Sequence, residues 1–139
     1  MAVICEAFNI DTGGFCDIHD ITPQVRQQLN KSGLKKGVVT VFVPGSTASI
    51  TTIEYESGVI EDLKKAIERI APQNMHYAHD ARWGDGNGFS HVRSALLGPS
   101  INVPFSSNAL QLGPWQQIVF IDFDNRPRER KILLHLIGE

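Results

Sequence analysis

The sequence predicts an α+β domain: a mixed, largely antiparallel β-sandwich with about three helices packed on it. Runs rich in Val, Ile and Thr follow one another across short turns and outnumber the helical segments. Only the segment opening at Ser57 sustains apolar residues at helical spacing. Helices do not alternate with strands, which sets aside a doubly wound nucleotide-binding fold.

The 139 residues fit one domain, spanning 1–139, large enough to bury a core without staples. The net charge of −2 provides no basic face for nucleic acid. No apolar run approaches a membrane span, and the first residues lack the basic flank of an export signal, so the expected location is cytoplasmic, away from membranes. Two cysteines, Cys5 and Cys16, are too few for a Cys-only metal site. In a reducing compartment they are expected as free thiols, with a disulfide the alternative.

Ala2 to Ile10 reads as a strand. Thr22 and Pro23 then suit a helix start, Val25 and Leu29 share a face, and Gly33 closes the segment. Val38 to Val43 is a β-branched run stopped by Pro44, and Thr47 to Tyr55 follows as a second strand. From Ser57, residues Ile60, Leu63, Ile67 and Ile70 form one helical face until Pro72. Gln73 to Phe89 is polar, Gly-bearing and aperiodic; a loop this long in a compact domain is typically functional or disordered, and Tyr77, Trp83 and Phe89 argue for order. Ser90 can cap a short helix through Leu97, ended by Gly98. Ile101 to Phe105 reads as a short edge strand because of Pro104, and Leu110 to Leu112 is strand-like. Trp115 to Phe123 reads as a buried strand, and Lys131 to Ile137 as its hairpin partner after the turn Asp124-Asn125-Arg126-Pro127.

The chemistry-bearing residues concentrate in the aperiodic loop. His79 and His91 stand twelve apart, with Asp85 and Asn87 between them and glycines at 86 and 88 that permit a tight return. Imidazoles bind divalent transition metals and exchange protons near neutrality. The plainer reading is a polar loop with locally bonded histidines, and His19 and His135 read as structural. Gly45-Ser46-Thr47 could offer N–H groups and hydroxyls to phosphate, or be a simple turn. Glu54 and Glu56 share a strand face and could act as acid–base or metal-binding carboxylates, or mark an exposed edge. Arg82 and Arg93 could clamp a phosphoryl group, or pair with carboxylates. Trp115 reads as core, and Gln116 would need a partner if buried. No Walker loop, dinucleotide fingerprint or serine elbow is present.

Several motifs in order resemble the YjbQ family of secondary thiamine-phosphate synthase-type proteins. They are Val43 to Ile50, Glu54-Tyr55-Glu56, Tyr77-Ala78-His79, Asp85 to Gly88 with Ser90-His91, Ala95 to Ser100, and Leu112 to Gln117. The resemblance implies a single YjbQ-like domain, assembly as a homotrimer with a polar pocket near the subunit boundaries, and His79, Asn87, His91, Glu54 and Gln116 as catalytic positions. It also implies a transferase activity joining a pyrimidine diphosphate to a thiazole phosphate with loss of pyrophosphate. Ser46, Thr47, Arg82, Asp85 and Arg93 are then the expected contacts to a small phosphorylated substrate, with a divalent metal, Mg or Zn, at His79 and His91. Relatives often carry His where this chain has Gly45 and Phe89, and Thr where it has Pro114, so a three-histidine site does not transfer and a carboxylate or water must complete it. The rival expectations are a non-catalytic trimeric module binding a phosphorylated metabolite or metal ion, and a trimeric scaffold whose loop builds the interface.

Overall fold

A computed structural model describes residues 1–139. Two antiparallel sheets form the frame. The larger runs β1 (Ala2–Thr12), β8 (Arg128–Gly138), β3 (Lys36–Phe42), β5 (Ser100–Ser106) and β6 (Ala109–Leu110). The smaller runs β2 (Asp17–Asp20), β7 (Gln117–Asp122) and β4 (Ala48–Ile53). Every strand pair is antiparallel, so the expected mixed character reduces to antiparallel throughout. There are four helices: α1 (Thr22–Ser32), α2 (Ser57–Ile70), α3 (Ala78–Trp83) and α4 (Gly88–Leu97). The added one, α3, spans only six residues inside the aperiodic loop, too short to show a period. No helix is long and apolar enough to cross a membrane.

Side-chain alternation in β7 explains the layering. Ile118 and Phe120 face the larger sheet and meet Val39, Val41, Val103, Phe105, Ile132, Leu134 and Leu136 in the main core, which Val25 and Leu29 of α1 close at one end. Val119, Ile121 and the following Phe123 face the opposite way, onto Ile60, Leu63 and Ile67 of α2. Ile70, expected on that same face, is 67% exposed, bordering a groove it shares with Leu96 and Leu97 of α4.

Local boundaries follow the backbone's polar groups. Thr22, expected to cap α1, is instead its first residue; the N-cap position is Ile21, without a side-chain cap, while Asp20 Oδ1 accepts from Thr22 N (2.9 Å), and Gly33 closes the helix in the left-handed region. Glu56 caps α2 by accepting from Gly58 N and Val59 N at 2.9 and 2.8 Å. α4 starts two residues before Ser90, whose hydroxyl instead donates back to Asn87. Pro104 sits just past the two-residue reach of β6, where β5 is effectively an edge. Cys5 is exposed and Cys16 buried, both as free thiols; burial pushes the Cys16 thiol up, the direction of an inert sulfur.

The expected hairpin between the last two strands does not form. β8 pairs with β1 and β3 in the larger sheet, and the turn at Asp124–Pro127 carries the chain across the core. Charge at the end of the sandwich accounts for this. The inward positions of β8 continue from Leu136, Leu134 and Ile132 to Arg130 and Arg128; those of β7 continue from Ile118 and Phe120 to Asp122 and then Asp124. Arg130 Nε donates to Asp122 Oδ2 at 2.8 Å, and the Arg128 guanidinium to Asp124 Oδ2 at 3.0 Å. Thr12 Oγ1 donates to Asp122 at 2.6 Å, and Thr47 Oγ1 to Asp124 at 2.9 Å. A corner crossing, unlike a hairpin, lets the two acids meet the two arginines across the core.

Burial of Asp124 raises its carboxyl's proton affinity, but hydrogen bonds from Thr47 and Arg128 and the charges of Arg128 and Arg130 outweigh it and hold the group below the ordinary carboxylate range. A native value below the unfolded one stabilises the fold above the unfolded value, and the gain is lost as pH falls through the native one. Urea unfolding across pH 7 to 2 should therefore show stability declining on the acid side, with a shallower decline in Asp124→Asn; an unchanged slope contradicts the ion-paired plug.

Candidate functional site

The site begins with a glycine that has no room for a side chain. A Cβ on Gly88 would stand 2.6 Å from Tyr77 Cβ, 2.9 Å from Tyr77 Cγ and 3.1 Å from Asp80 Oδ1. Its absence lets the start of α4 press against the start of α3, where Gly88 N donates to Asp80 Oδ1 at 2.8 Å. Tyr77 is fixed from behind by its hydroxyl's bond to Pro72 O (2.6 Å). Between the helices, Gly84 and Gly86 adopt φ of +66°, turning the chain back within four residues.

That return brings the two histidines together. The rings of His79 and His91 lie 4.5 Å apart between centroids, tilted by 40°. His79 Nδ1 is 3.2 Å from Asp85 Oδ1 and 3.5 Å from Asp80 Oδ1. One ligand atom each from His79, Asp85 and His91 falls within 4.8 Å of the others. Two partly exposed imidazoles and an exposed carboxylate form a donor set that fits a divalent metal, and the nitrogen content favours Zn over Mg.

Asn87 joins this cluster to the charged plug. Its Oδ1 accepts from Ser90 Oγ (2.6 Å) and from Asn125 N (3.2 Å), while Asn125 Nδ2 donates to Asp85 O (2.8 Å). The junction encloses a polar cavity of ≈ 200 Å³ lined by Asp85, Asn87, Asp124, Asn125, Arg126 and Arg128. Asp85 thus belongs to both the histidine cluster and the cavity wall.

The remaining expected residues divide sharply. Thr47 and the exposed Ser46 sit beside the plug, but the Thr47 hydroxyl is committed, donating to Asp124 and accepting from Arg130 at 2.7 Å. Gly45, where a histidine was looked for, has φ +128°, and a Cβ there would lie 3.4 Å from Arg130. Phe89 is buried beneath Arg93, which is 4% exposed, donates to Ala71 O (2.9 Å) and pairs with Glu68. Arg93 therefore ties α4 to α2 and does not reach the site. Arg82 lies exposed along α3, over its own neighbour Trp83. Glu56 is occupied as a cap, and its two backbone donors lower its proton affinity.

Glu54 and Gln116 are at the far end of the smaller sheet. Asn87 lies beyond the Ala48–Asp122 end of the β4–β7 pair, whereas Glu54 and Gln116 lie beyond Ile53–Gln117. The six residues of β4 separate these ends by roughly 17–20 Å. There Gln116 bonds Gly113 N and Thr52 Oγ1, each at 3.1 Å. Trp115, expected in the core, is 72% exposed and with Asp20, Glu54 and Tyr55 borders an open hollow of ≈ 440 Å³. Reasoning from sequence missed Asp80, Asp122, Asp124, Asn125, Arg126, Arg128 and Arg130. The period-2 pattern running back from Leu136 was the available signal for Arg128 and Arg130.

A sequence profile described as UPF0047 protein YjbQ-like matches residues 6–139. A UPF0047 protein of Methanothermobacter thermautotrophicus is 34% identical over 139 residues, covering 100% of this chain and 95% of the relative. One from Archaeoglobus fulgidus is 36% identical over 118 residues, covering 85% and 89%. The crystal structure of a YbjQ-like protein of unknown function from Sulfolobus solfataricus P2 matches with a TM-score of 0.94 at 31% identity, covering 99% of each chain. That of a hypothetical protein from Aeropyrum pernix K1 gives 0.91 at 29% identity, covering 98% and 99%.

Gly88→Ala should destabilise the protein by about 1–3 kcal/mol through overpacking and part the two imidazoles. Chemical denaturation and the imidazole NMR resonances check both; wild-type stability with unmoved His79 and His91 signals contradicts the close-approach account.

Proposed function

The chain belongs to the YjbQ family, and from that membership and the geometry of its site we propose that it is a metal-assisted enzyme of thiamine-phosphate synthase type acting on a small phosphorylated heterocyclic substrate. The observation that carries this reading is the convergence of His79, Asp85 and His91 beside an arginine-lined cavity. A divalent ion held by these three side chains would supply Lewis-acid stabilisation to a departing pyrophosphate. Arg126 and Arg128, which line the cavity, would hold phosphate oxygens by charge-assisted hydrogen bonds, with Arg128 braced by Asp124. Asn87, fixed by Ser90 and Asn125, keeps the return between the two histidines rigid. Without an ion bound, His79 or His91 would instead take up the proton that leaves as the new bond forms.

The test is thiamine phosphate formation from the pyrimidine diphosphate and the thiazole phosphate, together with Zn²⁺ titration by calorimetry. His79→Ala and His91→Ala should each abolish turnover and remove stoichiometric Zn²⁺ binding while circular dichroism stays native. Turnover retained in both variants contradicts the proposal.

The second half of the reading concerns assembly as a homotrimer. The positions that the family resemblance assigns to one pocket lie at two ends of a single chain, with Glu54, Trp115 and Gln116 far from His79 and His91. A head-to-tail ring of copies would place one copy's Glu54 end against the next copy's histidine end. Mixing inactive His79→Ala with inactive Glu54→Ala should then restore part of the activity, because some interfaces regain both intact halves. Absence of complementation in a verified mixed oligomer contradicts a shared pocket.

A further inference from the structure

Both tryptophans of this chain stand in solvent, Trp83 at 69% and Trp115 at 72% exposed. Tryptophan is large and normally well buried, and at interfaces Trp, Tyr and Arg carry much of the binding energy. Each indole stands beside charge of a different sign. Trp83 ends the helix that carries His79, and the guanidinium of Arg82 lies 5.7 Å from its ring centre. Arg82 is exposed and forms no ion pair within the chain. Trp115 and the exposed Tyr55 border the open hollow of ≈ 440 Å³, where Asp20, Glu54 and Glu56 supply three carboxylates and no cation faces them. Asp20 and Glu56 already accept backbone amides, so Glu54 is the carboxylate there without a partner.

We infer that the Arg82–Trp83 tip of α3 docks into the Glu54 hollow of a second copy, pairing Arg82 with Glu54 and covering Trp83 with the rings of Tyr55 and Trp115. This rests on the head-to-tail assembly proposed above and names the contact that makes it. One chain cannot close the contact on itself, because the histidine end and the Glu54 end lie at opposite ends of the smaller sheet. A second copy is the occupant because this chain carries both complementary halves: a cation beside an exposed indole, and an acidic hollow rimmed by exposed rings. The two surfaces differ, so the contact is heterologous and every copy uses both of its halves, as a closed ring requires. Arg82 follows His79 by three residues, and the two share a face of α3. Seating Arg82 on Glu54 therefore sets the neighbour's carboxylate on the His79 side of that helix. The histidine end is completed by the adjoining copy.

Sedimentation velocity on the intact protein reads the assembly. Arg82→Glu and Glu54→Arg each bring like charges together and should weaken it by about tenfold or more, with circular dichroism unchanged. The double variant Arg82→Glu/Glu54→Arg restores opposite charges at every contact and should reassemble. A second measurement needs no charge reversal. Arg82→Lys protein, half of it ¹⁵N-labelled and mixed until copies exchange, is treated with a carbodiimide, which joins an amine to a carboxylate in direct contact. Mass spectrometry should find position 82 joined to Glu54 in mixed-isotope pairs. Assembly unchanged in both single reversals, a double variant that stays dissociated, or absence of the mixed-isotope link overturns the inference and leaves assembly itself standing. A wild-type chain that sediments as a monomer at micromolar concentration overturns the assembly reading and the inference together.

Discussion

The closeness of Gly88 to Tyr77 and Asp80 is the constraint on which the rest of the site depends. No side chain fits in that gap, so the starts of α3 and α4 meet backbone to side chain, and a single carboxylate, Asp80, bonds both the Gly88 amide and the His79 ring. Once the two helix starts are in register, His79 and His91 have little freedom to stand apart. Asp85 falls between them because two left-handed glycines leave only one compact path for the return. The cluster is thus a consequence of backbone packing, with few of its positions resting on flexible surface side chains.

A second constraint sets this cluster beside arginines. The sandwich core ends in charge: the inward positions of β7 and β8 change from Phe120 and Ile132 to Asp122 and Arg130 without leaving the buried layer. Buried ion pairs of this kind add little net stability over apolar packing, but losing one partner is costly. What the plug contributes is placement. It fixes the Asp124–Arg128 corner, from which Asn125 reaches across to Asn87 and Asp85. The core, the plug and the histidine loop are consequently connected, and the cavity between them takes arginines from the plug side and Asp85 from the histidine loop.

Much of the architecture was legible because periodicity reports burial. The β-branched runs of β3, β4 and β7 and the face of α2 through Ile67 read directly as core. The failures share a cause: each needed knowledge of what lies across the core. Arg128 and Arg130 fall between the expected turn and the expected strand until the alternation of β8 is carried back through them, and the hairpin expected after β7 assumed a partner in the same sheet. Arg93 reads as a solvent-facing clamp, yet the C-terminal end of α2 buries it against Ala71 and Glu68. Trp115 reads as core by residue type, although the turn before β7 leaves it outside. The histidine cluster was legible as residues His79, Asp85, Asn87 and His91, because the glycines among them signalled a sharp return, made in the structure by Gly84 and Gly86 while Gly88 opens α4; its connection to the plug through Asn125 leaves no trace in spacing.

The central claim is that His79, Asp85 and His91 hold a divalent ion at the mouth of an arginine-lined cavity. X-ray absorption at the zinc edge, recorded on protein loaded with one equivalent of Zn²⁺, tests it most directly. The account predicts two imidazole nitrogens and oxygen donors at about 2.0–2.2 Å, with the imidazole scattering halved by removing either histidine. A spectrum of oxygen donors alone, or one indifferent to both histidines, contradicts it.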